Sequence, residues 1–123
     1  MRTIYLIIAA LLLAAPATAE DYEKGPHGGL MLDVAGIDAE LLTSDNTITV
    51  NVFEAFKATP VSTKGYTAAA LVSGGNGRET IALTPDGENS LKGDAKNPIP
   101  PGATITLTMK TAEGKSGQVK FKK

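Results

Sequence analysis

The sequence holds 123 residues, 42% of them hydrophobic, with 12 basic side chains, 13 acidic side chains, one histidine and no cysteine. This length fits a single domain. The formal charge of -1 at pH 7 argues against nucleic acid as a partner, because surfaces that bind nucleic acid are clearly basic. The lack of cysteine excludes disulfides and thiolate metal sites, and a single histidine leaves little for acid–base catalysis. We therefore expect a small binding or accessory domain and not an enzyme.

Residues 1–19 have the pattern of an export signal. Met1 and Arg2 give a short positive start, residues 4–15 form an almost unbroken apolar run, and Pro16 ends that run. Small side chains then occupy the positions that a signal peptidase reads. The run is too short for a membrane-spanning helix, which needs about 20 apolar residues. The pattern predicts cleavage after Ala19 and a soluble periplasmic domain, residues 20–123, with no membrane insertion after cleavage.

The rest of the chain alternates between apolar and polar side chains, which is typical of half-buried β-strands. Residues 47–53 and 104–109 carry this pattern most clearly, and their apolar faces consist of Ile48, Val50, Val52, Ile105, Leu107 and Met109. Shorter strands, separated by turn-forming residues, are expected at residues 30–34, 39–43, 66–72, 79–83, 90–93 and 118–121. The spacing predicts an all-β fold, a single antiparallel immunoglobulin-like β-sandwich of seven to eight short strands after the cleaved signal peptide.

Charge is unevenly distributed along these strands. Residues 20–54 hold eight acidic side chains and one lysine, whereas residues 96–123 hold six lysines and one glutamate. We expect the first and last strands to be neighbours that offset each other's charge, with lysines protecting a sheet edge. The alternative is an acidic end of the domain that attracts cations.

The segment that could carry chemistry lies near the start of the predicted mature chain. His27, the only imidazole, stands between Pro26 and two glycines, so its backbone is not expected in a regular strand. Acidic side chains precede it, and Met31 adds a thioether. Imidazole with thioether suits copper, whereas imidazole with carboxylates suits zinc, copper or nickel. The pattern indicates a transition-metal site, and the alternative is a structural turn whose imidazole hydrogen-bonds to the backbone.

Residues 25–29, G-P-H-G-G, together with several later segments, resemble a family of small exported β proteins. These later segments are residues 39–41, 48–53, 57–61, 83–85, 89–93 and 117–121. A similar Pro-His-Gly-Gly element occurs in the N-terminal regions of periplasmic adaptor subunits of heavy-metal efflux pumps. The resemblance implies an extracytoplasmic β domain tied to metal handling, with His27 as the metal ligand and Glu40 as a ligand or a supporting carboxylate.

The sequence thus leads to one expected function and one alternative. The expected function is a soluble periplasmic accessory protein that binds copper, or zinc in second place, weakly through His27, with Met31 and Glu40 as further site residues. Its partner would be a heavy-metal efflux system or another periplasmic protein. The alternative is a protein-interaction module without metal, in which an open strand edge or residues 53–56 contact the partner.

Overall fold

The computed structural model describes residues 23–75 and 77–123, so the predicted export signal at residues 1–19 lies outside the described residues. All regular structure in these two ranges is β-strand, and no helix there could cross a membrane. The strands are β1 (Glu23–Lys24), β2 (Leu30–Val34), β3 (Ile37–Ser44), β4 (Thr47–Glu54), β5 (Thr67–Gly74), β6 (Gly77–Asp86), β7 (Ser90–Asp94), β8 (Thr104–Lys110) and β9 (Ser116–Lys122).

The all-β prediction is confirmed, and the eight strand segments expected from the sequence correspond to β2 to β9. The described ranges hold nine strands, one more than the upper end of the predicted seven to eight. The additional strand, β1, has only two residues. A segment of two residues is too short to show an alternating pattern. Its pairing with β2 depends instead on the turn that joins the two strands.

The strands are antiparallel neighbours in one continuous sheet with the order β1-β2-β3-β4-β7-β6-β5-β8-β9. β6 joins the two halves, because residues 77–83 pair with β5 and residues 84–86 pair with β7. The continuous sheet differs from two separate layers, so the immunoglobulin-like sandwich stays a prediction. The sheet curls until β9 packs against β2, with Gly117 lying against Val34 and Ala35. The expected closeness of the first and last predicted strands is therefore confirmed.

The core fills the inside of the curled sheet. The six alternating apolar side chains predicted from residues 47–53 and 104–109 are each at most 1% exposed, which confirms the predicted register. The opposite, outer face of β3 and β4 is also largely covered, because Asp38, Glu40, Asn51 and Phe53 are buried there. Buried polar groups require hydrogen-bond partners, and the segment that covers Glu40 is the histidine turn.

Candidate functional site

Residues 25–29 form the tight loop of the β1–β2 hairpin. The Gly28 amide donates to the Gly25 carbonyl at 2.9 Å, and the Gly25 amide donates to the Gly29 carbonyl at 2.8 Å. Pro26 occupies the second position of this turn, where its fixed φ is favoured. Gly28 has φ of 85°, the left-handed conformation that completes the three-residue turn at residues 26–28, between the bonded pair Gly25 and Gly29. The local sequence therefore determines where His27 projects.

The loop lies directly on β3, and two glycines permit this close approach. A side chain at Gly29 would overlap the Leu41 carbonyl oxygen, and one at Gly25 would overlap the carboxyl group of Glu40. Gly25 and Gly29 therefore serve packing, whereas Gly28 serves the turn. The two flanking glycines allow the backbone amides of the loop to reach a carboxylate beneath them.

The Glu40 carboxylate has four donors within hydrogen-bonding distance. Oε2 accepts bonds from the backbone amides of His27 at 2.7 Å and Gly29 at 2.9 Å. Oε1 faces Nδ1 of the His27 ring at 3.0 Å and Nδ2 of Asn51 at 3.4 Å. The Glu40 side chain is fully buried, so these donors replace the water that the charge would otherwise need.

The balance of burial and hydrogen bonding leaves Glu40 ionised at neutral pH. Burial alone would raise the pKa of Glu40, but the bonds from the Gly29 amide, the His27 ring and amide and Asn51 outweigh it, so the pKa lies below the ordinary 4.5. An ionised carboxylate can only accept hydrogen bonds. Nδ1 of His27 must therefore carry the proton of the 3.0 Å contact, and in the neutral ring the lone pair sits on Nε2.

The His27 ring is held in place but open to solvent. Its side chain is 58% exposed, and the ring stacks on buried Phe53 with centroids 6.2 Å apart and planes 27° from parallel. Asn51 Nδ2 lies 3.5 Å from Nδ1, a contact between two donors and not a second hydrogen bond. The result is an oriented imidazole on a rigid strand scaffold.

The structure brings His27 and Glu40 into direct contact and places Met31 opposite Glu40 on the neighbouring strand. Met31 pairs with Glu40 across β2 and β3, and directly paired residues of antiparallel strands project from the same face. Its side chain is partly buried. Glu40 has its oxygens occupied by protein donors, which favours a supporting role over direct coordination.

Three further residues complete the site and were not predicted from the sequence as part of it. Asn51 lies opposite Glu40 on β4, and Ser90 on β7 lies opposite Asn51. The Ser90 hydroxyl donates to Asn51 Oδ1 at 2.5 Å, which directs the amide hydrogens of Asn51 toward Glu40. Phe53 supplies the surface under the ring. The sequence shows Asn51 as a polar residue in a strand rich in valine and threonine. Its hydrogen-bond partners can be identified only from the register of the strands.

The described residues hold no group of three or more histidine, cysteine, aspartate or glutamate side chains arranged around a common metal position. His27 is also the only histidine of the whole sequence. What the turn offers a metal ion is therefore one oriented nitrogen, Nε2. Copper and zinc both accept an imidazole ligand of this kind, so the donor present fits those metals.

A second buried carboxyl group, Asp38, lies on the same outer face two residues before Glu40. It pairs across the β2–β3 hairpin with Asp33 and accepts a bond from the Phe56 amide at 3.2 Å. Burial and a hydrogen bond from one carboxyl group to the other raise the pKa of Asp38 to about 6. Phe56 itself is 88% exposed and has φ of 66°, a left-handed conformation that is unfavourable for a bulky residue.

Comparisons of the chain with protein-family models, with curated proteins and with solved structures found no match. The resemblance to small exported β proteins and to efflux adaptors therefore stays a prediction.

Proposed function

We propose that this protein is a periplasmic accessory protein that binds a transition-metal ion weakly through Nε2 of His27, in association with a heavy-metal efflux system. The observation that carries the proposal is the 3.0 Å contact between Nδ1 of His27 and the buried Glu40 carboxylate, combined with a ring that is 58% exposed. Glu40 fixes one ring nitrogen, Nδ1, and the side chain as a whole is largely open to solvent.

This pairing supports metal binding for a chemical reason. Histidines that bind metals usually donate their second ring N–H to a carboxylate or carbonyl, which fixes the tautomer, orients the ring and raises the basicity of the free nitrogen. Glu40 fixes the tautomer of His27 and orients its ring before any ligand arrives. A structural turn would not need an ionised carboxylate against a solvent-exposed ring, although the two backbone amides bound by Glu40 serve the turn as well.

The same geometry favours weak and exchangeable binding. A single imidazole cannot form the closed four-ligand set of a structural zinc site. The bonds between Glu40 and the loop amides hold the turn without metal, so metal removal leaves the fold intact. Copper is the first choice because it heads the divalent affinity order and, when reduced, accepts a thioether such as Met31; zinc is the second.

The cellular setting is part of the proposal. The export pattern of residues 1–19 and the Pro-His-Gly-Gly element support a periplasmic location and a link to efflux. We also infer that residues 20–123 act as one immunoglobulin-like domain in which the two halves of the curled sheet serve as sandwich layers. Core side chains contributed by both halves, such as Leu91 and Leu107, support this.

Calorimetric titration with Cu(II), Cu(I) and Zn(II) tests the proposal. The informative variant is His27→Asn, because its amide can still donate to Glu40 from a position close to that of Nδ1 while Nε2 is lost. We expect wild type to bind and His27→Asn and His27→Ala not to bind. Glu40→Gln should bind about 10–100-fold more weakly, and Met31→Leu should weaken Cu(I) alone. Indistinguishable binding by wild type and both His27 variants, or no binding below millimolar metal, would show that the proposal is wrong.

One observation favours a second function, a protein-interaction module without metal. Phe56 is the large apolar side chain that the described residues leave exposed, and its loop follows β4. If the titration shows no metal binding, this function becomes the better one, and a partner should then be lost on Phe56→Ser but retained on His27→Asn.

A further inference from the structure

Apart from the Met31 thioether, which suits Cu(I), the described residues offer His27 no second nitrogen or sulfur ligand. His27 is the only histidine, the chain has no cysteine, and Met109 is 1% exposed in the core. Protein sites for zinc use three or four side-chain ligands, so one imidazole is far short of them, and two imidazoles with water in the remaining positions come closer. Because the His27 side chain of one copy is 58% exposed while its Nδ1 contacts Glu40, Nε2 of another copy is the simplest source of a second, equal ligand.

Resting on the proposed metal binding, we propose that a metal ion joins two copies of this chain through the His27 imidazole of each. Such a contact uses the same surface on both copies and closes with two-fold symmetry. The rigid turn favours it, because Glu40 already holds the ring and little side-chain freedom is lost on association.

The apolar side chain of Phe56 gives this face a contact that does not depend on metal. Asp38 binds the Phe56 amide and pairs across the sheet with Phe53, on which the His27 ring stacks. Phe56 and His27 therefore lie on the same outer face of the sheet. The hydrogen bond to Asp38 stabilises the left-handed backbone of Phe56, and the ring is presented in a position where a second copy can cover it.

Charge explains why association should require the cation. Glu23 and Asp33 are exposed, and both lie on the face of Met31 and Glu40, since Glu23 pairs with Met31 and Asp33 stands two residues after it. Two such acidic faces repel each other when they approach. A divalent cation between the imidazoles reduces that repulsion as well as joining the ligands.

Sedimentation velocity at micromolar protein, with Zn(II) as the redox-inert probe, tests the proposal. Without metal we expect a monomer. With half an equivalent of Zn(II) we expect a dimer containing one metal per two chains, which chelator reverses. His27→Asn should remain a monomer at every metal concentration. Phe56→Ser should bind Zn(II) yet dimerise at least about tenfold more weakly, whereas Lys57→Ala, in the same loop, should behave as wild type.

The possible failures are distinguishable. One Zn(II) per chain on a persistent monomer would overturn the metal-joined dimer and leave the proposed function standing. No Zn(II) or copper binding at all would overturn both. A dimer that forms without metal and survives His27→Asn would overturn the metal-joined dimer, since the copies would then associate through another contact.

Discussion

Asp38 and Glu40 lie two residues apart on the same face of β3, and both are buried. Their pKa values are nevertheless shifted in opposite directions from the ordinary values of the two side chains. The pKa of Glu40 is lowered below 4.5, whereas that of Asp38 is raised to about 6. Burial opposes ionisation at both positions, so burial alone cannot explain the difference. The number and kind of neighbours do: Glu40 faces four donors, and Asp38 faces one backbone amide and the carboxyl group of Asp33.

This difference shows that Glu40 is stabilised as a charged hydrogen-bond acceptor by the residues of the candidate site, whereas Asp38 is not stabilised as an anion by its neighbours. Glu40 stays charged because the loop amides, the imidazole and Asn51 satisfy it, and that charge fixes the proton on Nδ1 of His27. Asp38 is stabilised in its protonated form, which can donate to Asp33. The same strand therefore carries one carboxyl group that is ionised at neutral pH and one whose pKa is about 6.

The largest expected effect is the loss of the Glu40 carboxylate. Glu40→Ala leaves the amides of His27 and Gly29 without their acceptor and opens a cavity, so we expect a loss of about 3–5 kcal/mol in the free energy of unfolding. Urea denaturation followed by circular dichroism measures it. Glu40→Gln keeps the volume and one acceptor oxygen and should cost less. Equal stability of Glu40→Ala and wild type would contradict the role assigned to Glu40.

The next effect in size is the pH dependence of the free energy of unfolding that Asp38 causes, which has the opposite sign to that caused by Glu40. Because its pKa is raised from 3.8 to about 6, its contribution to stability is complete below pH 3.8 and is lost as the pH rises through about 6. Asp38→Asn mimics the protonated form. It should therefore be more stable than wild type at pH 7.5, by about 1–3 kcal/mol, with the difference vanishing toward pH 4.

Asp33→Asn is the matched control for this comparison, because it removes the neighbouring negative charge and leaves Asp38 in place. It should also reduce the decrease in stability between pH 4 and 6.5. For Glu40 the sign is reversed: its contribution is present above pH 4.5 and is lost as the pH falls through its lowered pKa. A wild-type stability curve parallel to that of Asp38→Asn across pH 4 to 7.5 would refute the raised pKa.

The sequence was sufficient for eight of the nine described strands, and it singled out His27 as the candidate ligand. Strict alternation of apolar and polar side chains predicted Val50 and Leu107 in the core. His27, as the only histidine, indicated its turn as the candidate site. Pairing between distant strands is a different matter, because it depends on contacts that no local pattern encodes. The ten residues of β6 bond to β5 at one end and to β7 at the other, and this makes the sheet continuous.

The residues that contact His27 could not be predicted from the sequence for the same reason, because they come from distant strands. Glu40 entered the sequence-based hypothesis only through a resemblance, and nothing local distinguished it from other acidic residues. Its contact with the histidine arises because the hairpin loop folds over β3, which requires the small glycines on either side of the turn. The contacts of Asn51 with Glu40 and with Ser90 followed only from the register of β4 against β3 and β7.

The central claim is that Glu40 holds the proton of His27 on Nδ1 and leaves Nε2 free for a metal ion. Long-range ¹H–¹⁵N correlation spectra of the single histidine test it directly, because the two ring nitrogens of each neutral tautomer have different shifts. At neutral to slightly alkaline pH the account predicts a protonated Nδ1 and an unprotonated Nε2 whose resonance is the one that moves on addition of Zn(II). A ring protonated on Nε2, or one whose nitrogens do not respond to Zn(II), would contradict it.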